Sequence, residues 1–184
     1  MNVIIHDLNN EQFELLFPEL NNNSHIIFDN GTIKSCIGCF GCWIKTPGKC
    51  VIKDGYDNIG ELFSKADKVI VISKCFYGGF SPFVKNVLDR SIAYMLPFFR
   101  TVNKETHHKQ RYDKSFKYCV HFYGENITEP EKETACSLVK ANSINFCSEY
   151  VVSFSIKINS STPAFHLCYG NIVLNALKKA VINN

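Results

Sequence analysis

The chain has 184 residues, 46% of them hydrophobic and 13% aromatic, which predicts one domain spanning residues 1–184 with a sizeable core. A formal net charge of +3, carried by scattered lysines and arginines, argues against nucleic acid and membrane surfaces as partners. There is no signal-peptide pattern, no long apolar run and an odd number of cysteines, nine, so we expect a soluble, cytoplasmic protein.

The first part of the chain alternates apolar, strand-like runs with segments of helical periodicity. In order, these are the strand "NVIIHDL" (2–8), the short helix "QFELLF" (12–17), the strand "HIIFD" (25–29), the helix "DNIGELFSKA" (57–66) and the strand "DKVIVIS" (67–73). The last of these runs is nearly all β-branched, which is typical of a central strand in a parallel sheet.

The same alternation continues to the C-terminus. The segments are the helix "SPFVKNVLDRSIAYML" (81–96), a polar irregular stretch (97–115), the strand "FKYCVHFY" (116–123), the helix "TEPEKETACSLVKAN" (128–142), the strand "EYVVSFSI" (149–156) and the closing helix "NIVLNALKKAVI" (171–182). Five strands interleaved with helices predict a layered α/β fold with a parallel sheet. Ligands of such folds bind beyond the carboxyl ends of the strands.

The stretch "KCFYGGFSPFVKNVLDR" follows the third predicted strand and has features of a ligand-binding loop. Gly78 and Gly79 would let backbone amides approach a planar ligand, and Phe76 and Tyr77 could lie against a ring. Ser81 and the helix start after it would supply N–H donors. An ordinary strand–helix turn with aromatic packing explains the spacing equally well.

This stretch resembles the isoalloxazine-binding loop of flavodoxin-like NAD(P)H-dependent flavin reductases. Those proteins carry a tyrosine, a glycine, a serine-led helix, a lysine and an Asp-Arg pair at the places that are here occupied by Tyr77, Gly78, Ser81, Lys85, Asp89 and Arg90. The resemblance implies a flavodoxin-like three-layer sandwich with a five-stranded parallel sheet. It also implies FMN as cofactor, NAD(P)H as reductant, hydride transfer to the flavin, and electron transfer to a small-molecule acceptor.

The site residues that the resemblance implies lie in two loops. The flavin contacts are Lys74, Cys75, Phe76, Tyr77, Gly78, Gly79 and Ser81 after the third strand, and Tyr123 and Gly124 after the fourth. No side chain is predicted to act as a general acid or base, because the cofactor carries the chemistry. We expect the protein to be a homo-oligomer.

The loop after the first strand departs from this family. Its members bind the FMN phosphate in a loop rich in serine, threonine and glycine, whereas this chain reads "HDLNNEQFELLFPEL". The segment has no glycine, Asp7 and Glu11 would repel a phosphate, and Pro18 ends the helix early. We therefore expect weak binding of FMN. The rival interpretations are a flavin-free metal- or partner-binding module and an electron carrier without NAD(P)H activity.

Four of the cysteines fall within "CIGCFGCWIKTPGKC", at Cys36, Cys39, Cys42 and Cys50. A [4Fe–4S] cluster needs four convergent thiolates, and this spacing resembles the cluster motif of iron–sulfur flavoproteins. Zinc also takes four thiolates, but its sites usually use two separated C-x₂-C pairs. A third interpretation leaves the thiols free, in a loop that shapes the flavin or oligomer surface.

The remaining candidates are weaker. The isolated cysteines Cys75, Cys119, Cys136, Cys147 and Cys168 are interpreted mainly as small core residues. The adjacent His107 and His108 fall in the irregular stretch, where a solvated loop is the simpler interpretation and a role in binding the nicotinamide nucleotide or the substrate is the alternative. No Ser-His-Asp order, P-loop or HExxH motif is present, which argues against hydrolases, kinases and zincins.

Overall fold

A computed structural model describes residues 1–18, 20 and 22–158 of the chain. The predicted closing helix (171–182) and Cys168 lie outside the described residues. The elements in chain order are β1 (Asn2–His6), α1 (Asn10–Leu16), β2 (Ser24–Phe28), α2 (Gly41–Ile44), α3 (Ile59–Lys65), β3 (Lys68–Lys74), α4 (Pro82–Arg90), a 3₁₀ turn (Ser91–Tyr94), β4 (Met95–Val102), β5 (Glu105–Gln110), β6 (Lys117–Tyr123), α5 (Glu129–Phe146) and β7 (Tyr150–Ser155).

The five predicted strands form one sheet, in the order β2-β1-β3-β6-β7, and every neighbouring pair is parallel. This order is the flavodoxin-like one, in which the strand order reverses between β1 and β3. The predicted fold is therefore confirmed. The reversal also places the ends of β1, β3 and β6 side by side at the carboxyl edge of the sheet.

Strand β3 lies at the centre of the core, and residues Val69 to Ile72 are at most 4% exposed. Its side chains alternate between the two faces of the sheet, as the period of a strand requires. On one face, Val69 and Val71 pack in a cluster with residues of α3, α4 and α5. On the other face, Ile70 and Ile72 pack in a cluster with Leu16 of α1. The described helices thus cover both faces.

The segment after α4 differs from the prediction. The predicted helix 81–96 ends at Arg90, and the supposedly irregular stretch forms an antiparallel hairpin of β4 and β5. Pro97 lies where the register of the hairpin shifts, a position at which a strand tolerates proline. The hairpin is fastened to the end of α5, because Arg100 Nη2 donates to Ile144 O over 2.6 Å.

Helix α5 has 18 residues and begins where its sequence predicts. Thr128 and Glu131 form a reciprocal capping box at its start, and Cys147 ends it in the left-handed conformation. The helix extends to Phe146, beyond the predicted segment 128–142. Within the described part of the chain, no helix combines the length and the apolar character needed to cross a membrane.

Candidate cofactor site

The loop after β3 is a tight turn that presents a tyrosine to solvent. Phe76 and Gly79 exchange two backbone hydrogen bonds of 3.0 and 2.7 Å, and the central residues Tyr77 and Gly78 have φ values of 51° and 79°. Positive φ at both central positions defines a type I′ turn, which suits glycine but is costly for tyrosine. The Tyr77 side chain is 91% exposed, so no packing within the described chain explains its place there.

The structure brings together the two loops that were predicted to hold a flavin. Cys75 N–H donates to Tyr123 O over 2.9 Å, which joins the ends of β3 and β6. The close approach that Gly78 permits is to helix α5 rather than to open space. A Cβ atom at Gly78 would lie 2.7 Å from Thr134 Cβ and 2.8 Å from Glu131 O.

Ser81 occupies the predicted N-cap position of α4 but does not cap the helix with its side chain. Its backbone N–H donates to Ser73 Oγ over 2.8 Å, which closes the turn against the end of β3. The Ser81 hydroxyl is buried and forms no hydrogen bond with the residues that the structure describes. Ser81 therefore stabilises the turn through its backbone N–H. Its role as a flavin contact stays a prediction.

The cysteine loop contains a short helix, α2, that the sequence did not predict. Phe40 precedes it in the left-handed conformation, with φ of 57°. Trp43 anchors the helix: its Nε1–H donates to Met95 O over 2.9 Å, and its ring lies 5.5 Å from the Phe40 ring and 5.0 Å from the His108 ring. The loop is therefore fixed against the start of the β4–β5 hairpin.

A buried ion pair fixes the same loop against α4. Arg90 Nη1 and Nη2 donate to the two carboxylate oxygens of Asp54 over 2.8 and 3.1 Å. Arg90 also donates to Lys34 O and Ile52 O, which lie on either side of the four cysteines. Burial raises the pKa of Asp54, but hydrogen bonds from Arg90 and from backbone amides outweigh it and lower the pKa to about 2.

Arg90 pairs with Asp54 and not with its neighbour in the sequence, Asp89. Asp89 pairs with Lys85 on the exposed side of the helix, at 2.6 Å, while Arg90 points inward. The Arg90 Nε–H is buried, and no hydrogen-bond acceptor lies within reach of it in the part of the chain that the structure describes. Burial lowers the pKa of Arg90, but Asp54 and the nearby Cys50 raise it overall. A thiolate at Cys50 thus has a fixed positive charge beside it.

The four cysteines line a single cavity of about 840 Å³. Cys36 and Cys39 are exposed, whereas Cys42 and Cys50 are half-buried, and none of the eight cysteines in the described residues forms a disulfide. Burial raises the pKa of Cys42, and the other three thiols of the loop add to that rise. The four sulfur atoms are thus close enough to interact electrostatically.

The thiols are not preassembled round a single metal ion. Across residues 1–18, 20 and 22–158, no group of three or more histidine, cysteine, aspartate or glutamate side chains is arranged to hold one. Zinc holds its sulfur ligands about 2.3 Å away, so the sulfur atoms approach one another to roughly 3.8 Å. A four-iron cube has a metal at each of four corners and needs its thiolates farther apart. Among the described residues, the four thiols thus line one cavity without forming an assembled metal site.

Aromatic side chains of the turn after β3 share this cavity with the cysteines. Its lining includes Phe76, Gly79 and Phe80 from the turn, and Leu138 and Phe146 from α5. Ligand cavities typically measure about 300–1,000 Å³, so a flavin ring has room here. Of the predicted flavin contacts, Phe76 and Gly79 line the cavity, whereas Lys74, Cys75, Tyr77, Gly78, Ser81, Tyr123 and Gly124 do not.

Two polar residues of the cavity wall were missed by the sequence reasoning. Asn142 and Asn145 project from the last turns of α5. Asn145 Oδ1 lies 2.8 Å from His107 Nδ1, and His108 turns the other way to meet Trp43 and Phe99. The two histidines thus face different neighbours, as adjacent residues of a strand do. No local pattern identifies the asparagines, because only the packing of α5 brings them to the cavity.

Polar groups of the loop after β1 already form hydrogen bonds with one another and with the ends of β3 and β6. Asp7 accepts hydrogen bonds from Lys74 N–H over 2.9 Å and from the Tyr123 hydroxyl over 3.0 Å. Burial, followed by the charge of Asp7, raises the pKa of Tyr123. Asn9 and Gln12 form a capping box at the start of α1, so their groups also bond each other. The described residues of this loop do not fit a phosphate.

No protein-family model matches the sequence. A segment of 59 residues is 41% identical to an iron–sulfur flavoprotein of Methanocaldococcus jannaschii, and it spans 32% of this chain and 30% of that relative. An azoreductase of Bacillus anthracis has a similar structure, with a TM-score of 0.52 and 15% identity over 97% of this chain and 96% of its own.

A second solved structure, general stress protein 14 of Treponema denticola in complex with FMN, superposes with a TM-score of 0.51. It is 11% identical to this chain, and the match covers 97% of this chain and 98% of the other. At such identities the two structures establish the fold. The structures confirm the flavodoxin-like fold, and the matching segment confirms the resemblance to iron–sulfur flavoproteins.

Proposed function

We propose that this protein is a flavin-dependent oxidoreductase that takes electrons from NAD(P)H and passes them to a small-molecule acceptor, with a [4Fe–4S] cluster held by its cysteine loop. One observation carries the proposal: four thiols and the aromatic turn after β3 line the same cavity. The names of the similar proteins, an iron–sulfur flavoprotein and azoreductases, support it. A cytoplasmic homo-oligomer is part of the proposal.

The chemistry of the donor set fits an iron–sulfur cluster. Cys36, Cys39, Cys42 and Cys50 would hold it, and a bound cluster supplies one-electron transfer. The buried Arg90 Nε–H, which has no partner among the described residues, offers a hydrogen bond to a ligand sulfur. Hydrogen bonds and positive charge near the sulfur atoms stabilise the reduced, more negative state.

The flavin part of the proposal rests on the ring rather than on the whole cofactor. Phe76 and Phe80 offer apolar surface at the end of the cavity nearest β3. Phe80 is itself held by stacking on Phe122, with ring centroids 5.1 Å apart. These side chains can position a planar ring in the same cavity as the thiols. They provide no group for proton transfer.

The test is an absorption spectrum of the full chain purified without oxygen, together with iron, sulfide, zinc and flavin analysis. We expect about four iron and four sulfide per chain, and flavin bands after riboflavin or FMN is added. Cys39→Ser should lose the iron. The matched control is Cys136→Ser, which removes an exposed thiol from α5, outside the cavity, and should retain it. Stoichiometric zinc in place of iron would overturn the cluster proposal.

A second candidate is an electron carrier that holds the cluster but no flavin. The self-bonded loop after β1 favours it, because that loop offers no phosphate site. The two candidates differ in one measurement. A chain that contains iron and sulfide but leaves the fluorescence of added riboflavin and FMN unchanged is the carrier, whereas quenching of that fluorescence supports the reductase.

A further inference from the structure

Asp7 lies at the reversal of strand order, where a ligand of this fold is expected. It directly follows β1, and β1 neighbours β3, which is followed in the sheet by β6. Open α/β sheets bind their ligands in the crevice outside the carboxyl ends of the strands at such a reversal. The side chain that occupies this crevice therefore decides which ligand groups can enter it.

The Asp7 carboxylate takes up donors from both neighbouring strands. Lys74 N–H, at the end of β3, lies 3.2 Å from Oδ1 and 2.9 Å from Oδ2. The Tyr123 hydroxyl, at the end of β6, donates to Oδ1 over 3.0 Å. An incoming anion needs donors of this kind. Here the Asp7 carboxylate of the protein itself already accepts the hydrogen bonds from these donors.

Backbone amides at the start of α1 also have hydrogen-bond acceptors within the protein. Gln12 N–H donates to Asn9 Oδ1 over 2.8 Å, and Asn9 N–H donates to Gln12 Oε1 over 3.1 Å. Leu8 N–H donates to His6 Nδ1 over 3.2 Å. Glu11 adds a second negative charge in the first turn of this seven-residue helix. A phosphate would meet like charge and amides that already have partners.

We infer that Asp7 takes the place of the cofactor phosphate, so that the site binds a flavin by its ring and gains nothing from a terminal phosphate. The ligand class is then the unphosphorylated flavin, with riboflavin as its simplest member. This inference rests on the proposed function, because it needs a ring site in the cavity. Its physical basis is separate from that site, since repulsion between Asp7 and a phosphate acts at the edge of the sheet.

The experiment titrates the purified full chain, freed of any bound flavin, with riboflavin and with FMN, and follows flavin fluorescence. We expect FMN to bind no more tightly than riboflavin. We also expect FMN affinity to rise with added salt, because salt screens like charges, while riboflavin affinity stays unchanged. The salt dependence uses the unaltered protein, so it does not depend on a variant that folds.

Asp7→Asn keeps the size of the side chain and removes its charge. It should raise FMN affinity by about tenfold and leave riboflavin affinity unchanged, since removal of one like charge near a partly exposed phosphate changes the binding free energy by roughly 1.4 kcal/mol, which is a factor of ten. The matched control is Glu14→Gln, which removes an exposed charge from the same helix and should change neither affinity.

FMN that binds at least about tenfold more tightly than riboflavin, or that co-purifies in stoichiometric amount, would overturn the inference and leave the proposed function intact. Absence of binding by both flavins would instead remove the flavin from the proposed function, and the inference with it. Iron and sulfide analysis of the same sample reports on the cluster independently of either result.

Discussion

Asp54 and Arg90 form an ion pair that is buried on both sides, with side-chain exposures of 3% and 0%. Asp54 lies just beyond the last cysteine of the loop, and Arg90 ends helix α4. Because Asp54 also accepts the Lys34 N–H over 2.8 Å, one carboxylate ties the two ends of the cysteine loop to each other and to α4. The pair therefore determines where the cysteines lie relative to the cavity.

We expect Asp54→Asn to destabilise the protein by about 3–5 kcal/mol, because it leaves a buried guanidinium without its counter-charge. The free energy of unfolding in urea measures this. The control is Lys85→Gln, which breaks the exposed Lys85–Asp89 pair on the same helix and should change stability by no more than about 0.5 kcal/mol. Equal losses in the two variants would contradict the structural role of the buried pair.

Trp43 is the single tryptophan of the sequence and lies beside Cys42 on the cavity wall. Its emission therefore reports on the cysteine loop alone. We expect anaerobic reconstitution with iron and sulfide to quench this emission strongly, because a cluster in the cavity accepts energy from the excited indole. Cys136→Ser should show the same quenching and Cys39→Ser should not. Unchanged emission in a protein that has taken up iron would place the iron elsewhere.

Neighbouring substitutions in the turn after β3 should have opposite effects on stability. Tyr77→Asn should stabilise the fold by about 0.5–1 kcal/mol, since asparagine adopts the left-handed conformation more readily than tyrosine. Gly78→Ala should cost at least about 1 kcal/mol, because its Cβ would meet Thr134 and the backbone of α5. Thermal unfolding of both variants measures this, and shifts of the same sign would refute the type I′ turn.

Tyr77→Asn also separates stability from function. If Tyr77 contacts the ring, as the sequence predicts, the variant should unfold at a higher temperature yet bind riboflavin more weakly. Backbone strain on an exposed side chain is the pattern expected where a residue is kept for binding. Unchanged riboflavin affinity would assign the flavin contact to Phe76 and its neighbours instead.

Stability should fall as the pH drops from about 6.5 to about 4. Burial lowers the pKa of both His6 and His121 to about 4. Between pH 6.5 and pH 4 these histidines are protonated in the unfolded chain but neutral in the folded chain. Protonation therefore favours the unfolded chain, and each histidine lowers the free energy of unfolding by on the order of 2–3 kcal/mol. Urea unfolding at several pH values measures the slope. His6→Gln should flatten it, whereas the control His25→Gln, on the exposed side of β2, should leave it unchanged.

The sheet could be predicted because its signal is local. A run such as 67–73 is β-branched throughout, and the observed strand Lys68–Lys74 differs from it by one residue at each end. The hairpin could not be predicted in this way. Its turn residues Asn103 and Lys104 have φ values of 51° and 70° without a glycine to signal them. Tyr94, which the sequence places inside helix 81–96, ends the 3₁₀ turn after α4. Its side chain is fully buried and packs against Phe63 and Phe116.

The site was predictable in its residue types but not in its contacts. The cysteine spacing pointed to a metal or cluster loop, and the charge of Asp7 pointed to a poor phosphate site. Nothing in the sequence joins Asp54 to Arg90, which is 36 residues away, or Asp7 to Tyr123, which is 116 residues away. Such pairs depend on the folded chain. The flavin contacts, the reductant and the acceptor remain predictions.

The uneven exposure of the four cysteines has a consequence for assembly. Cys42 and Cys50 are half-buried, Cys42 next to Trp43 in the sequence and Cys50 near Arg90, whereas Cys36 and Cys39 are exposed. In the proposed cluster, two ligands would come from half-buried positions and two from exposed positions that can close over the iron from the solvent side. Loading should then proceed in two stages, with the outer pair of thiols the first to exchange when the iron is removed.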